Sequence, residues 1–309
     1  MVINQSNLNS MYVGFNTAFN KAFQAVEPQH QKIATIVPSS TKSQEYKWLG
    51  SMPALRKWVG ERQIQNLEAY SYTIKNEKFE GTVGVDQDDI EDDTIGVYPI
   101  LMEQLGQSAA IFPDELCFGL LKNGFKNLCY DKVTFFGEHK VGKEKVSNKG
   151  NKALTPESYA EARANMMALK DENGKTLKIM PNLLVVPPQL EAMAKKILLA
   201  DFIEGSSNIN KNSAEILVAH ELSDKPTQWF LLDTKKPIKP IIYQERRKPT
   251  FVSLNKPTDS NMFMNGQALY GVDTRCNAGY GFWQMAFGST GEEASTPVVT
   301  PSENENAGA

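Results

Sequence analysis

Cysteine is scarce in this chain of 309 residues: Cys117, Cys129 and Cys276 are an odd number, widely spaced. That excludes a disulfide framework and favours reduced thiols in a cytoplasm. Long apolar runs are missing too. Without roughly 20 consecutive apolar residues no helix spans a bilayer, so no membrane association is expected. The opening MVINQSNLNSMYVGFNTAFNKAF lacks a basic segment followed by an apolar core, and no secretory leader is expected. Charge of one sign is not in excess: 33 Lys and Arg face 36 Asp and Glu, a net charge of −3. The chain as a whole is therefore not a nucleic-acid binder.

Chemical motifs are equally sparse. His30, His139 and His220 are far apart, with no H-x-x-x-H or C-x-x-C spacing, so no zinc site is expected. Gly174-Lys175-Thr176 ends like a phosphate loop, but Leu169 occupies the place of its first glycine. Gly279 and Gly281 lack the third glycine and following helix of a dinucleotide fingerprint. They more simply relieve crowding in strands or at a bend. A Cys–His nucleophile pair would have to be assembled in space from Cys276 or Cys129 with His139 or His220. Nothing local supports one, and inert buried thiols are expected. No catalytic group and no cofactor are predicted.

What is present is a 41% apolar, 22% charged composition suited to a soluble globular protein. From Asn4 to Val26, Leu8, Met11, Phe15, Ala18, Phe19, Ala22 and Phe23 recur at three- and four-residue spacing. Pro28 ends this arm, whose apolar face fits either the chain's own body or a neighbour. Tyr46 to Val85 reads as a long two-stranded excursion, with Trp48 and Trp58 flanking a basic middle of Arg56, Lys57 and Arg62. A hairpin of that kind has little core of its own and needs a partner surface. Ile90, Val97, Leu101, Leu105, Ala109, Phe112, Leu116 and Leu120 keep a helical period and predict a helix over 93–121. Pro113 predicts a kink or restart there, with Asp114 and Glu115 in a new first turn. The lysine-bearing stretch 130–155 reads as loop, and Thr155–Lys170 as a helix with Thr155 as N-cap. Short strands are predicted over 177–186, 216–218, 228–232, 238–243 and 251–254, with a helix from Pro188 to Leu199. The class is α+β.

Between excursion and helix lies VGVDQDDIEDDTIG, carrying Asp86, Asp88, Asp89, Glu91, Asp92 and Asp93. A calcium loop fails in either frame. From Asp86, position 5 is Ile90; from Asp89, position 12 is Ile100. The carboxylates instead suit a helix N-terminus or a basic neighbour.

The order of these features is more specific than any one of them. The stretches MPALRKWVGERQIQNLEAYSYTIKNEKFEGTVGVDQDDIEDDTIGVY, FPDELCFGLLKNGFKNLCYD, NLLVVPPQLEAMAKKIL, WFLLDTKKPIKPIIYQERRKPTFVSL and LYGVDTRCNAGYGFWQMAFGS together resemble the major head subunit of Mu-like phages and prophages, the gpT type. The resemblance covers most of residues 10–289. It implies the Hong Kong 97 phage capsid fold and a structural, non-catalytic role. By that likeness, 1–40 is an N-terminal arm, 41–85 an extended loop, and 86–176 a peripheral domain with a spine helix at 93–122. An axial domain follows at 177–245, then return strands of the peripheral domain at 246–288; the stretch 289–309 lies beyond the likeness, and its small, polar, proline-spaced composition reads as a disordered tail. Such chains assemble with themselves as hexamers and pentamers into an icosahedral virion head around double-stranded DNA, which they contact non-specifically. Assembly takes place in the host bacterial cytoplasm, with scaffold protein, maturation protease and portal as further partners. Trp48, Arg56, Trp58 and Arg62 are then interface candidates, because Trp and Arg dominate contact energetics. Asp88, Asp89 and Asp92 are candidates to meet that basic tip across subunits. The alternatives are an encapsulin-like compartment shell or another virion structural protein and, from a different class, a thiol- or metal-dependent hydrolase.

Overall fold

The structure, a computed structural model, describes residues 3–47, 72–92, 95–172 and 174–292. Asn4 opens the first helix by accepting the Asn7 N–H at 2.8 Å, satisfying a donor that a helix start leaves unpaired. Helix α1 (Gln5–Ala25) buries Leu8, Met11, Phe15, Phe19 and Ala22, the face anticipated from their spacing. Next come α2 (His30–Ile33), β1 (Ala34–Pro38), β2 (Ser43–Glu45), β3 (Thr73–Lys75), β4 (Glu77–Asp86) and the short α3 (Gln87–Glu91). One 3-10 turn, Ile95–Val97, leads into the longest helix, α4 (Tyr98–Asn123). The middle of the chain carries β5 (Glu138–Val141), β6 (Glu144–Ser147), β7 (Lys149–Gly150), α5 (Pro156–Met167), β8 (Leu183–Val186) and α6 (Glu191–Leu199). The last third holds β9 (Phe202–Ile203), β10 (Ser206–Ser207), β11 (Glu215–Val218), β12 (Trp229–Leu232), β13 (Ile241–Leu254), α7 (Ser260–Asn265), β14 (Gln267–Tyr280) and β15 (Ala286–Ser289).

Helices segregated from mainly antiparallel sheets make this an α+β fold. A four-stranded sheet has the order β1-β13-β14-β4, and a five-stranded one the order β11-β8-β12-β15-β7. Strands β13 and β14 pair antiparallel from Ile241 opposite Tyr280 to Leu254 opposite Leu269, with register shifts between Glu245 and Arg247 and between Arg247 and Thr250. The two short strands expected at 238–243 and 251–254 are therefore one long strand. Pro249 lacks a ladder donor, and the run around it breaks the apolar alternation without ending the strand. The expected loop at 130–155 likewise contains the β5–β6 hairpin, which turns at Gly142 with φ +59°. Its polar, lysine-rich strands carry no apolar alternation to announce it.

Two cores result. The larger gathers Phe118, Leu121, Phe135, Phe136, Leu183 to Val186 and Phe230 to Leu232 around the five-stranded sheet and the near ends of β13 and β14. The second joins Leu8, Phe15 and Phe19 of α1 to Met102 of α4, Ile90 of α3, and Phe251, Tyr270 and Val272 of the four-stranded sheet. Helix α4 contributes to both, with Met102 in one and Cys117, Phe118 and Leu121 in the other. Its contact with α1 depends on Gly106, where a Cβ would lie 2.4 Å from the Phe19 carbonyl oxygen.

Pro113 lies inside α4, which does not restart there. A proline forfeits one ladder bond, and burial of Ala110, Cys117 and Phe118 on either side holds the helix through it. Asp114 is accordingly not a first-turn residue. It is buried and caps a different helix: its Oδ2 accepts the Gln29 N–H at 2.8 Å, and its Oδ1 the His30 N–H at 2.7 Å. The His30 ring nitrogen Nδ1 is also 2.7 Å from Oδ1. This ties the chain just beyond the arm to the middle of α4.

Candidate assembly surface

The acidic stretch builds a helix of its own. Asp86 N-caps α3 by accepting the Asp88 N–H, Asp88 and Asp89 occupy its first turn, and Ile90 is buried in the second core. The first turn of α4 carries no acidic residue, which corrects the expectation that these carboxylates guard the long helix. The dipole argument holds, applied to α3, because Ile90 docks inward and stops the chain from running straight into α4. Asp88 and Asp92 are exposed, and neither is in an ion pair with a described residue. Asp89 is half-buried and accepts the Tyr98 hydroxyl proton. That bond, ahead of burial, raises the phenol above its ordinary range. Trp48, Arg56, Trp58 and Arg62, the other candidates from the sequence, lie outside the described residues.

Sequence reasoning missed an apolar surface beside α3. Helix α7 leaves Phe263 87% and Met264 74% exposed, and the Gly266 carbonyl that follows it accepts the Gln87 N–H at 2.8 Å. A second set lies at the end of α6, on β9 and just after β10, where Leu199, Phe202 and Ile209 are exposed, Ile209 by 89%. An open cleft of about 620 Å³ adjoins it, lined by Glu191, Lys195, Leu199, Glu215 and Lys235 among others. Large apolar side chains exposed next to one another, such as Phe263 and Met264, are the kind of patch that contact surfaces are made of. The signal in the sequence was weak, because FIEG and NMFMN are too short to show periodicity.

The thiols behave as expected. Burial raises Cys117, Cys129 and Cys276 above the ordinary thiol range. Cys129 and His139 do come together, which their spacing did not predict, but through a third residue. The Cys129 thiol donates to Asp131 Oδ1 at 3.0 Å, and His139 Nδ1 lies 2.6 Å from Asp131 Oδ2. A thiol bonded to a carboxylate rather than to imidazole, and held protonated, is no activated nucleophile. Cys276 instead interacts with Tyr243 and Thr274. Crowding at the glycines is real: a Cβ on Gly279 would lie 2.4 Å from Ile74 Cδ1, and one on Gly281 2.5 Å from the Lys239 oxygen.

Comparison with known proteins bears on the whole chain. The Mu-like prophage major head subunit gpT family matches it over residues 8–153, 145–222 and 219–300. The major capsid protein of Escherichia phage Mu is 34% identical over 293 residues, covering 94% of this chain and 76% of that protein. The Mu-like prophage FluMu major head subunit of Haemophilus influenzae is 34% identical over 286 residues, 92% of this chain and 73% of its own. Among solved structures, the procapsid of bacteriophage JBD30 aligns with a TM-score of 0.59 at 34% identity, over 95% of this chain and 78% of its counterpart.

Proposed function

The chain belongs to the Mu-like prophage major head subunit gpT family, with the Hong Kong 97-type capsid fold and a structural role, and from that premise we propose how it builds a shell. It assembles with copies of itself as hexamers and pentamers into an icosahedral head that encloses double-stranded DNA. The extended loop expected at 41–85 returns through β4, which pairs with β14 in the chain's own four-stranded sheet, so the part before β4 is laid over a neighbouring subunit. Helix α4 is the spine, the four-stranded sheet with α1 is the peripheral domain, and the five-stranded sheet is the centre of the axial domain. Scaffold protein, maturation protease and portal serve assembly in the host bacterial cytoplasm, and the DNA is contacted non-specifically. The observation that carries this reading is 34% identity to a phage major capsid protein along 94% of the chain. Exposed apolar side chains on α7 and on the β9–β10 hairpin support it, since contacts of different patches closed by symmetry would cover them. Electron microscopy of the purified protein at high concentration tests it. Rings, tubes or shells are expected, and persistent monomers overturn it.

The acidic α3 supplies one contact, meeting the basic middle of the extended loop, Arg56 and Arg62 with Trp48 and Trp58, on the next subunit. Opposite charge at a rim steers association and suppresses wrong partners. Reversing Asp88, Asp89 and Asp92 to Lys should leave the far-ultraviolet dichroism of the monomer unchanged and lower the yield of shells. An unchanged yield removes the contact.

A further inference from the structure

The turn after α4 brings three metal-ligating side chain types to one point. Cys129 and Asp131 sit on a tight turn in which the Lys132 N–H reaches the Cys129 carbonyl at 3.1 Å, and β5 brings His139 across to them. One ligand atom from each lies within 4.8 Å of the others. Cys129 and His139 are buried, while the Asp131 side chain keeps 14% exposure and gives access from solvent. The ring of His139 is fixed on two sides. It stacks on Trp283 at 4.0 Å between centroids and 4° between planes, and its Nε2 lies 3.2 Å from the Phe135 carbonyl oxygen.

That last contact settles the orientation. A carbonyl only accepts, so Nε2 carries a proton and Nδ1 is the nitrogen turned towards Asp131. Nδ1 and Oδ2 lie 2.6 Å apart, a hydrogen-bond distance that one shared proton fills. A cation that also takes the Cys129 sulfur replaces that proton once Nδ1 and Oδ2 move apart. Donation of the outer N–H to a backbone carbonyl is the arrangement that aims a metal-bound histidine.

We propose that Cys129, Asp131 and His139 form a zinc site, with water in the fourth position. The mixed S, N and O donor set suits Zn²⁺ and is wrong for the hard Mg²⁺ and Ca²⁺. Binding displaces the thiol proton and the proton between Nδ1 and Oδ2. Ligand atoms on a tetrahedral zinc stay roughly 3.5 Å apart, so Nδ1 and Oδ2 separate by about 1 Å while the thiol, within 4.8 Å of the others, closes in. The site clamps the turn after α4 onto Trp283.

Titration of the full-length chain with Co²⁺, as a probe for Zn²⁺, is the test. One Co²⁺ per chain is expected, with the intense thiolate-to-cobalt charge-transfer band that carboxylate and imidazole ligands do not give, and Zn²⁺ should displace it. Cys129→Ser should lose the band and Cys117→Ser keep it. Zn²⁺ should raise the melting temperature of the unmodified chain and leave that of His139→Gln unchanged. No band in the unmodified chain overturns the site and leaves a hydrogen-bonded cluster. A band that survives in Cys129→Ser overturns the assignment to these residues.

Discussion

Asp114 shows how much one side chain decides. Its two oxygens accept two backbone N–H groups at the start of α2 and face the His30 ring, with Asp114 and His30 buried and Gln29 half-buried. A buried donor left without a partner costs about 1–3 kcal/mol. Asp114→Ala should therefore lower the free energy of unfolding by about 3 kcal/mol or more, read by denaturant titration of the monomer, and Asp114→Asn by less. The sequence led to the opposite role. Pro113 before an acidic pair is the local signature of a helix start, and capping by a residue 84 positions away leaves no local trace. The Cys129–Asp131–His139 cluster escaped for a related reason. A turn and a hairpin bring these residues together, and the hairpin has no apolar alternation to betray it.

At the scale of elements, the helices with a strong period were legible. The buried face of α1 and the capping of α5 by Thr155, with Ser158 reciprocating, follow the sequence directly. Boundaries were less so: the long helix begins at Tyr98 rather than Asp93, because Ile90 docks first. What no pattern showed is how closely α1 and α4 approach. Gly106 stands where the Phe19 oxygen leaves no room for a Cβ. Gly106→Val should force the helices apart and cost about 1–3 kcal/mol, although valine is the better helix former. Denaturant titration reads the loss. Gly119, with open space around its Cβ position, is the control, and Gly119→Ala should be neutral or stabilising.

Across the whole molecule, the fold class and the order of parts were readable because each long element keeps one period. The exposed apolar surfaces were not, since exposure is a property of the assembled tertiary structure. Stability against pH is also a global property. Burial pushes the Tyr46 and Tyr72 phenols up to about 12, and holds those of Tyr243 and Tyr280 higher still. In the unfolded chain they ionise near 10. A raised folded value means stability is fully present below about pH 10 and is lost as pH climbs towards 12 and beyond. Each such group contributes a slope of about 1.4 kcal/mol per pH unit in that window. Unfolding free energies measured from pH 9 to 12 should fall progressively, and Tyr46→Phe should make the fall shallower by one proton.

The two register shifts in β13 have a mechanical consequence. The strand runs from the larger core at Ile241–Tyr243 to the second core at Phe251, and its ladder is interrupted between them, around Arg247. Bulged ladders bend and twist more readily than regular ones. The strand is thus bent and twisted between its two cores, while the β14–β4 ladder beside it runs on without a break. The bend sets the angle between the four-stranded sheet's two ends, and so the direction in which each core presents its outer face to a neighbouring subunit.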